Sequence, residues 1–274
     1  MTRAWLDGEY ILEADARVSA ADRGFLLGDG AFETMRVHDG AVRRWARHRA
    51  RLAGALDWLE IARPDFDALE AAGAELAARL NLEEAVLRLT VSRGALGGGL
   101  DGPSGARGTV LLTAKAPPPK RLSVSLVTAA HTRRAGLVSE RFKLSNYAEP
   151  LAARRAARAA GADMGLMVSA LDGSAVCADC ANLFVVIDGA VATPPVSCGA
   201  LPGTARAALL EAMAARGAPI AERTVSMSDL ARAEAAFVTN AVMGAVPVRT
   251  LDGRGLDLEH AAVRLAVETE AGAD

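Results

Sequence analysis

The fold of this chain is decided by residues 22–34, which read DRGFLLGDGAFET. Gly24, Gly28 and Gly30 indicate tight turns, since glycine adopts backbone conformations that other residues avoid. Residues 31–37 predict a strand, and the Asp-Gly pair at 39–40 predicts the turn that ends it. Taken alone, the stretch is also compatible with an ordinary loop before a strand.

Strands and helices are predicted on both sides of this stretch. The predicted strands are 4–6, 10–12, 31–37, 85–92, 109–113, 123–129, 164–168, 183–187 and 235–238, and the predicted helices are 44–61, 66–80, 149–160, 204–216 and a short final one. Consecutive prolines at 117–119 stiffen the backbone and cannot continue a β-ladder. The sequence therefore predicts an α/β protein of the mixed α+β type, with domains at 1–115 and 122–274 and a linker at 116–121.

The composition excludes several classes of function. The 274 residues carry 31 basic and 33 acidic side chains, without the basic surplus or stripe of a nucleic-acid-binding protein. No run approaches the roughly 18 apolar residues of a membrane span, and the N-terminus lacks the apolar core of a secretory signal. Three cysteines fit a reducing compartment better than a disulfide framework. We therefore expect a cytoplasmic protein that binds neither nucleic acid nor a membrane.

Two segments are candidates for chemistry. Lysine occurs only at 115, 120 and 143, and Lys143 lies just before a predicted helix. Its amine either forms a covalent bond with a carbonyl cofactor or is a solvated surface group. Gly203 and Thr204 open the helix at 204–216, and free amides at such a start bind anions, although a glycine before a helix is also an ordinary feature.

Cys177 and Cys180 have the spacing of a redox pair or of half a metal site. A zinc site needs about four ligands. Only Cys198 and four scattered histidines remain as further candidates, so we predict no metal site.

Taken in order, the motifs of the chain resemble those of the class IV aminotransferases, which have PLP fold type IV and use pyridoxal 5'-phosphate (PLP). Residues 22–34 resemble the family's DRGFxxGDGxFE signature. The other matching motifs are His48 with Arg51 and Leu52 (HxxRL), residues 143–146 (KLSN, the segment of the cofactor lysine), 182–184 with 193–194 (NLF and TP) and 201–203 with Arg206 (LPG and R). The resemblance extends almost from end to end.

This resemblance implies a small N-terminal domain, a larger C-terminal domain that contains Lys143, and a homodimer whose active sites lie near the interface. It implies that Lys143 carries PLP. For His48 we expect structural support, with direct catalysis as the alternative. The residues implied to hold the phosphate are Arg51, Gly203, Thr204, Ala205, and Thr239 or Asn240.

One position departs from the family at the cofactor ring. A glutamate normally lies five residues before Asn182 and keeps the pyridine nitrogen protonated, but this chain has Cys177 there. A neutral thiol lacks the opposite charge that stabilises a pyridinium, unless Asp179 reaches the ring instead. The resulting weaker electron sink would slow transamination more than elimination.

Within the family, residues 92–94 and 237–248 resemble aminodeoxychorismate lyases, which split aminodeoxychorismate into 4-aminobenzoate and pyruvate for folate synthesis. In that chemistry Lys143 removes the proton beside the substrate nitrogen. The Thr34 hydroxyl, on the same strand face as Phe32, is placed to lie near the reacting carbons. Thr34 is equally consistent with a buried, hydrogen-bonded strand residue.

A second departure concerns the substrate. Lyases have an arginine-glycine-tyrosine triplet where residues 98–100 read Gly-Gly-Leu, so a contact to a substrate carboxylate is missing. Arg93 and Arg107 are the candidate replacements. The sequence favours a PLP-dependent lyase. A transaminase acting on D-amino or branched-chain amino acids, or a catalytically degenerate homologue, remains the alternative.

Overall fold

The computed structural model describes residues 3–271 and confirms the predicted mixed α/β fold class. Its strands are β1 (Arg3–Leu6), β2 (Glu9–Leu12), β3 (Gly30–His38), β4 (Ala41–Val42), β5 (Glu84–Ser92), β6 (Val110–Lys115), β7 (Val124–Arg133), β8 (Met164–Ser169), β9 (Ala175–Ala178), β10 (Ala181–Ile187), β11 (Ala190–Thr193), β12 (Ile220–Glu222), β13 (Ala235–Asn240), β14 (Gly244–Leu251) and β15 (Arg254–Gly255). Its helices are α1 (Arg23–Leu27), α2 (Trp45–Trp58), α3 (Phe66–Arg79), α4 (Ala148–Ala159), α5 (Thr204–Ala215), α6 (Met227–Arg232) and α7 (Ala261–Ala271). None of the helices among residues 3–271 combines the length and apolar character that a membrane span requires.

The chain divides into two compact units. The first contains residues 1–119 and 142–146, and the second contains 120–141 and 147–274. The prediction placed Lys143 in the C-terminal domain, whereas its segment groups with the first unit. The reason is backbone pairing with β3: the Phe32 amide donates to the Lys143 carbonyl and the Ser145 amide to the Gly30 carbonyl, both at 2.9 Å.

The first unit is built on a six-stranded sheet of order β2-β1-β6-β5-β3-β4. Helices α2 and α3 cover one face, where Met35 and Val37 pack with Leu52 and Leu56 in the core. Because side chains alternate along β3, Phe32 and Thr34 lie on the other face.

The stretch at 22–34 folds as a short helix followed by β3, a strand of nine residues. The Asp22 carboxylate accepts hydrogen bonds from the amides of Gly24 (2.8 Å) and Phe25 (3.4 Å) and so caps α1. Gly28 ends α1 with φ of 70°, and a Cβ there would lie 1.9 Å from Oδ1 of Asn146. The sequence predicted a tight turn and missed α1, which has only five residues.

The second unit is built on a nine-stranded sheet that closes on itself. Strand β9 pairs with both β8 and β10, so β10-β13-β14-β7-β8-β9 form a ring. Its interior is apolar and includes Leu126, Leu166, Leu183 and Val238. The other face of β10 and β13 carries Phe184 and Phe237, whose stacked rings pack with residues of α5 and α7. Residues that alternate with the interior set therefore lie on the outer face of the ring, toward the helices.

Candidate active site

Lys143 lies against the face of β3 that is turned away from α2 and α3. Its Nζ is 4.3 Å from the centre of the Phe32 ring, and the guanidinium carbon of Arg88 is 3.8 Å from the same centre. A cation over an aromatic face is stabilised by the ring quadrupole. Phe32 thus holds two cationic side chains at one place.

Thr34 belongs to the same face. It is directly opposite Arg88 in the β3–β5 pairing, and paired residues of antiparallel strands project to the same side. The first unit therefore brings together an amine, a guanidinium and a hydroxyl around Phe32. Sequence reasoning missed Arg88, although one charged residue within the apolar run 85–91 was a usable signal.

On the opposite face of β3, Glu33 holds both polar residues of the HxxRL motif. Its carboxylate accepts from Arg51 at 2.8 and 2.5 Å and contacts Nδ1 of His48 at 2.7 Å. Burial alone would raise the pKa of Glu33, but Arg51 and His48 outweigh it and lower that pKa to about 2. Burial lowers the pKa of His48. Since Glu33 and His48 are buried, this network fixes the orientation of Arg51 from α2.

Arg93 is engaged in structure and does not replace the missing arginine near residue 98. It binds Asp29 through Nε at 2.7 Å and donates to the carbonyls of Leu59, Glu60 and Pro103. Asp29 also binds Arg23 at 2.9 Å. Arg107 is exposed.

In the second unit, the start of α5 lacks a side-chain cap within residues 3–271, as a helix start that binds an anion would. Gly203 is its N-cap residue, and no side chain among the described residues caps the helix there. A Cβ at Gly203 would lie 2.0 Å from Oδ1 of Asn182, whose Nδ2 donates to the Leu201 carbonyl at 2.9 Å. Thr204 and Ala205 follow as the first, buried residues of α5. Asn182 therefore shapes the turn that presents the helix start.

Cys177, Asn182 and Thr239 form a row across β9, β10 and β13. Asn182 pairs with Cys177 on one side and with Thr239 on the other, so the three side chains project to the same face. Thr239 is fully buried, and its Oγ1 has no hydrogen-bond partner among the described residues. A buried hydroxyl without a partner is costly, so Thr239 is a candidate for binding a ligand atom.

Asn240 and Asp179, the alternatives to Thr239 and Cys177, have other roles. The Asn240 side chain donates to the Cys180 carbonyl at 3.0 Å and accepts from the amides of Val242 and Met243, so it shapes the turn between β13 and β14. The Asp179 carboxylate accepts from Arg154 at 2.8 and 2.5 Å and from the Gly165 amide at 2.9 Å. Arg154 of α4 therefore neutralises the Asp179 carboxylate, which argues against the alternative that Asp179 takes the place of the missing glutamate.

Cys177 itself is buried and belongs to an apolar cluster that includes Ala153 of α4. Burial raises the pKa of its thiol to about 11. Cys180 is exposed while Cys177 is buried, and the described residues contain no group of three His, Cys, Asp or Glu side chains arranged to hold a metal ion.

Each unit by itself contains groups suited to an aldehyde cofactor with a phosphate group. In the first unit Lys143 supplies an amine, and in the second the α5 start and the Thr239 hydroxyl supply anion-binding donors. The phosphate donors fit PLP. The ring-nitrogen position does not follow the usual pattern, because its side chain is a neutral thiol.

Comparison with known proteins identifies the family of this chain. The family model for amino-transferase class IV matches residues 30–251. A putative branched-chain-amino-acid aminotransferase of Methanocaldococcus jannaschii is 30% identical over 256 residues, which cover 92% of this chain and 88% of that protein. An aminodeoxychorismate lyase of Vibrio harveyi is 27% identical over 250 residues, which cover 84% of this chain and 86% of that protein.

A solved structure shows the same fold. A branched-chain amino acid aminotransferase of T.th., complexed with pyridoxamine 5'-phosphate, superimposes with a TM-score of 0.88 at 22% identity, covering 97% of this chain and 92% of that one. The family match spans well over half of the chain, and the relatives align over most of their own lengths. The chain is therefore an enzyme that belongs to the class IV aminotransferase family.

Proposed function

We propose that this enzyme is a PLP-dependent lyase, similar in reaction to aminodeoxychorismate lyase, that releases pyruvate from 4-amino-4-deoxychorismate and leaves 4-aminobenzoate. The observation that carries the proposal is the cluster around Phe32, where Lys143, Arg88 and Thr34 share one face of β3 and β5. It offers a base, a carboxylate-binding cation and a hydroxyl to one substrate.

Each of these side chains has a role in the proposed reaction. PLP, when bound, supplies a ring that withdraws electrons from the substrate's amino-bearing carbon. Lys143 would carry the cofactor, and its Nζ would take the proton from that carbon. Arg88 binds a substrate carboxylate through its guanidinium. The Thr34 hydroxyl donates a hydrogen bond to the departing enolpyruvyl oxygen.

The cofactor's phosphate is assigned to four groups of this chain. The Thr239 hydroxyl and the amides of Thr204 and Ala205 at the start of α5 would donate to it, and Arg51 would supply positive charge. Support comes from the partnerless Thr239 oxygen among the described residues, and from the T.th. enzyme of the same fold, which was solved with pyridoxamine 5'-phosphate. We further propose that the enzyme is a cytoplasmic homodimer.

A transaminase acting on branched-chain or D-amino acids is the second candidate. It is favoured by the 30% identity to the Methanocaldococcus jannaschii protein, which exceeds the 27% identity to the Vibrio harveyi lyase. The neutral thiol of Cys177 opposes it, since a weaker electron sink disfavours a reaction that must keep electrons on the cofactor.

The first experiment is an absorbance spectrum of the purified protein with PLP, before and after borohydride. We expect a visible band that borohydride abolishes in the wild type and in Lys120→Ala, an exposed lysine, and that is absent from Lys143→Ala. A protein that remains colourless with added PLP would contradict both enzyme proposals.

The second experiment separates the two reactions. We expect pyruvate and 4-aminobenzoate to form in equal amounts from aminodeoxychorismate without any 2-oxo acid acceptor. Glutamate formation from 2-oxoglutarate and a branched-chain or D-amino acid, without pyruvate release from aminodeoxychorismate, would instead establish the transaminase.

A further inference from the structure

We infer that the Cys177 thiol holds the pyridine nitrogen of bound PLP in its uncharged form. This inference deepens the proposed function and rests on it, because it requires that the protein binds PLP. It concerns the row formed by Cys177, Asn182 and Thr239 on the outer face of the ring of strands.

The row has the length and polarity of the cofactor. Neighbouring strands lie about 4.8 Å apart, so Cys177 and Thr239, two strands apart, are separated by about 10 Å. The partnerless hydroxyl of Thr239 and the α5 start that Asn182 shapes mark the phosphate end. Cys177 then lies at the opposite end, where the ring nitrogen belongs.

The charges that bear on the Cys177 thiol are already compensated. Within residues 3–271 they are Arg133, Glu140 and Asp179. Arg133 and Glu140 form an ion pair of 2.6 Å, and Asp179 is bound by Arg154. No uncompensated carboxylate among these groups remains to balance a pyridinium, and an unpaired buried charge is strongly unfavourable.

The thiol suits a neutral ring. An S–H group is a weak donor, and the lone pair of an uncharged pyridine nitrogen is an acceptor, so the two form a hydrogen bond. A thiolate would favour a pyridinium instead. Burial raises the pKa of Cys177 to about 11, so the thiol keeps its proton at neutral pH.

The protonation state of the ring nitrogen determines whether elimination or amino-group transfer is favoured. A neutral pyridine withdraws electrons less strongly than a pyridinium, which favours a reaction that expels the electrons with a leaving group at once. Cys177 is therefore a specificity-determining residue. We expect Cys177→Glu to raise the rate of amino-group transfer relative to pyruvate release by about tenfold or more, the scale of one pKa unit of electrostatic stabilisation.

The test is a ¹⁵N NMR spectrum of the holoenzyme reconstituted with PLP labelled at the ring nitrogen. We expect the wild-type signal in the range of an uncharged pyridine, without change between about pH 6 and pH 9, because Cys177 titrates higher. Cys177→Ser should keep this signal, and so should Cys180→Ser, an exposed neighbour. Cys177→Glu should move it to the pyridinium range.

The wild-type spectrum alone tests the protonation state of the ring nitrogen, even if Cys177→Glu fails to fold. A retained label with a pyridinium signal would overturn this inference and leave the proposed function standing. A label that is lost on gel filtration would overturn both. The two failures are therefore distinguishable in one sample.

Discussion

Glu33 binds both Arg51 and His48 on the face of β3 that packs against α2 and α3. It is almost completely buried, and its ionised form is stabilised by Arg51 and His48. Burial opposes ionisation, yet the pKa of Glu33 is lowered from 4.5 to about 2. A lowered pKa means that the folded state binds the proton less well than the unfolded state. The contribution to stability is therefore complete above pH 4.5 and is lost as the pH falls toward 2.

We expect Glu33→Gln to lower the free energy of unfolding at neutral pH by about 3 kcal/mol, since it removes one partner of a buried ion pair. Urea unfolding of the wild type and the variant at about pH 7 and about pH 3 measures this, and the difference should shrink at the lower pH. Glu75→Gln is the control, because Glu75 forms an exposed pair with Arg79. A pH-independent difference would contradict the network.

The second prediction concerns the buried hydroxyl of Thr239. Thr239→Val removes a buried hydroxyl that has no partner among residues 3–271, so the protein without cofactor should lose no stability. The dissociation constant for PLP should rise about five- to tenfold, the value of one hydrogen bond. Thr193→Val is the matched control: its hydroxyl donates to the Leu183 carbonyl at 2.7 Å, so stability should fall while PLP affinity is retained. An unchanged affinity in Thr239→Val would contradict its assignment.

Local motifs allowed the sequence to predict some of these residues and not others. The sequence predicts Lys143, Gly203 and, with Asn240 as the alternative, Thr239, because each lies in a short recognisable motif; their roles stay predictions. Arg88 and the Arg154–Asp179 pair were missed, since their roles depend on strand pairing or on a helix that packs against a distant strand. Residues far apart in sequence meet only through the fold, and no local pattern encodes such a contact.

At the scale of elements, the loop between β5 and β6 is held by two buried arginines. Arg23 donates to the carbonyls of Gly99 and Leu100, and Arg93 donates to that of Pro103. Both arginines bind Asp29. Burial alone would raise the pKa of Asp29, but Arg93 and Arg23 outweigh it and lower that pKa. The two arginines therefore anchor this glycine-rich loop.

We expect Asp29→Asn to release the loop, because the two arginines lose their shared counter-charge. Amide hydrogen exchange in residues 94–108 should become at least about tenfold faster, which corresponds to about 1.4 kcal/mol of local stability. Asp101→Asn is the control, since Asp101 is exposed in the same loop. Equal exchange in the two variants would show that Asp29 does not anchor the loop.

At the scale of the whole molecule, the expected assembly is a homodimer. Helix α1 exposes consecutive apolar side chains, with Phe25 79% and Leu26 58% exposed. Exposed apolar groups of this kind mark interaction surfaces. We expect light scattering to give about twice the chain mass of 28.3 kDa, and Phe25→Glu with Leu26→Glu to lower it toward one chain.

Leu171→Glu is the control for this measurement, because Leu171 is 82% exposed and lies far along the chain, in the second unit. A wild-type protein with the mass of one chain would contradict the dimer. A dimer that survives the substitutions in α1 would place the interface elsewhere.

The pairing of residues 142–146 with β3 bears on how this protein can be divided. The chain passes from the first unit to the second after Pro119, returns for five residues, and leaves again, so neither unit is one continuous segment. A fragment ending at Pro119 would leave the Phe32 amide and the Gly30 carbonyl without their strand partners. The two units therefore cannot be exchanged as continuous gene segments. A chimera joined to a relative at the prolines would separate β3 from its own Lys143. A functional chimera must carry residues 142–146 along with the first unit.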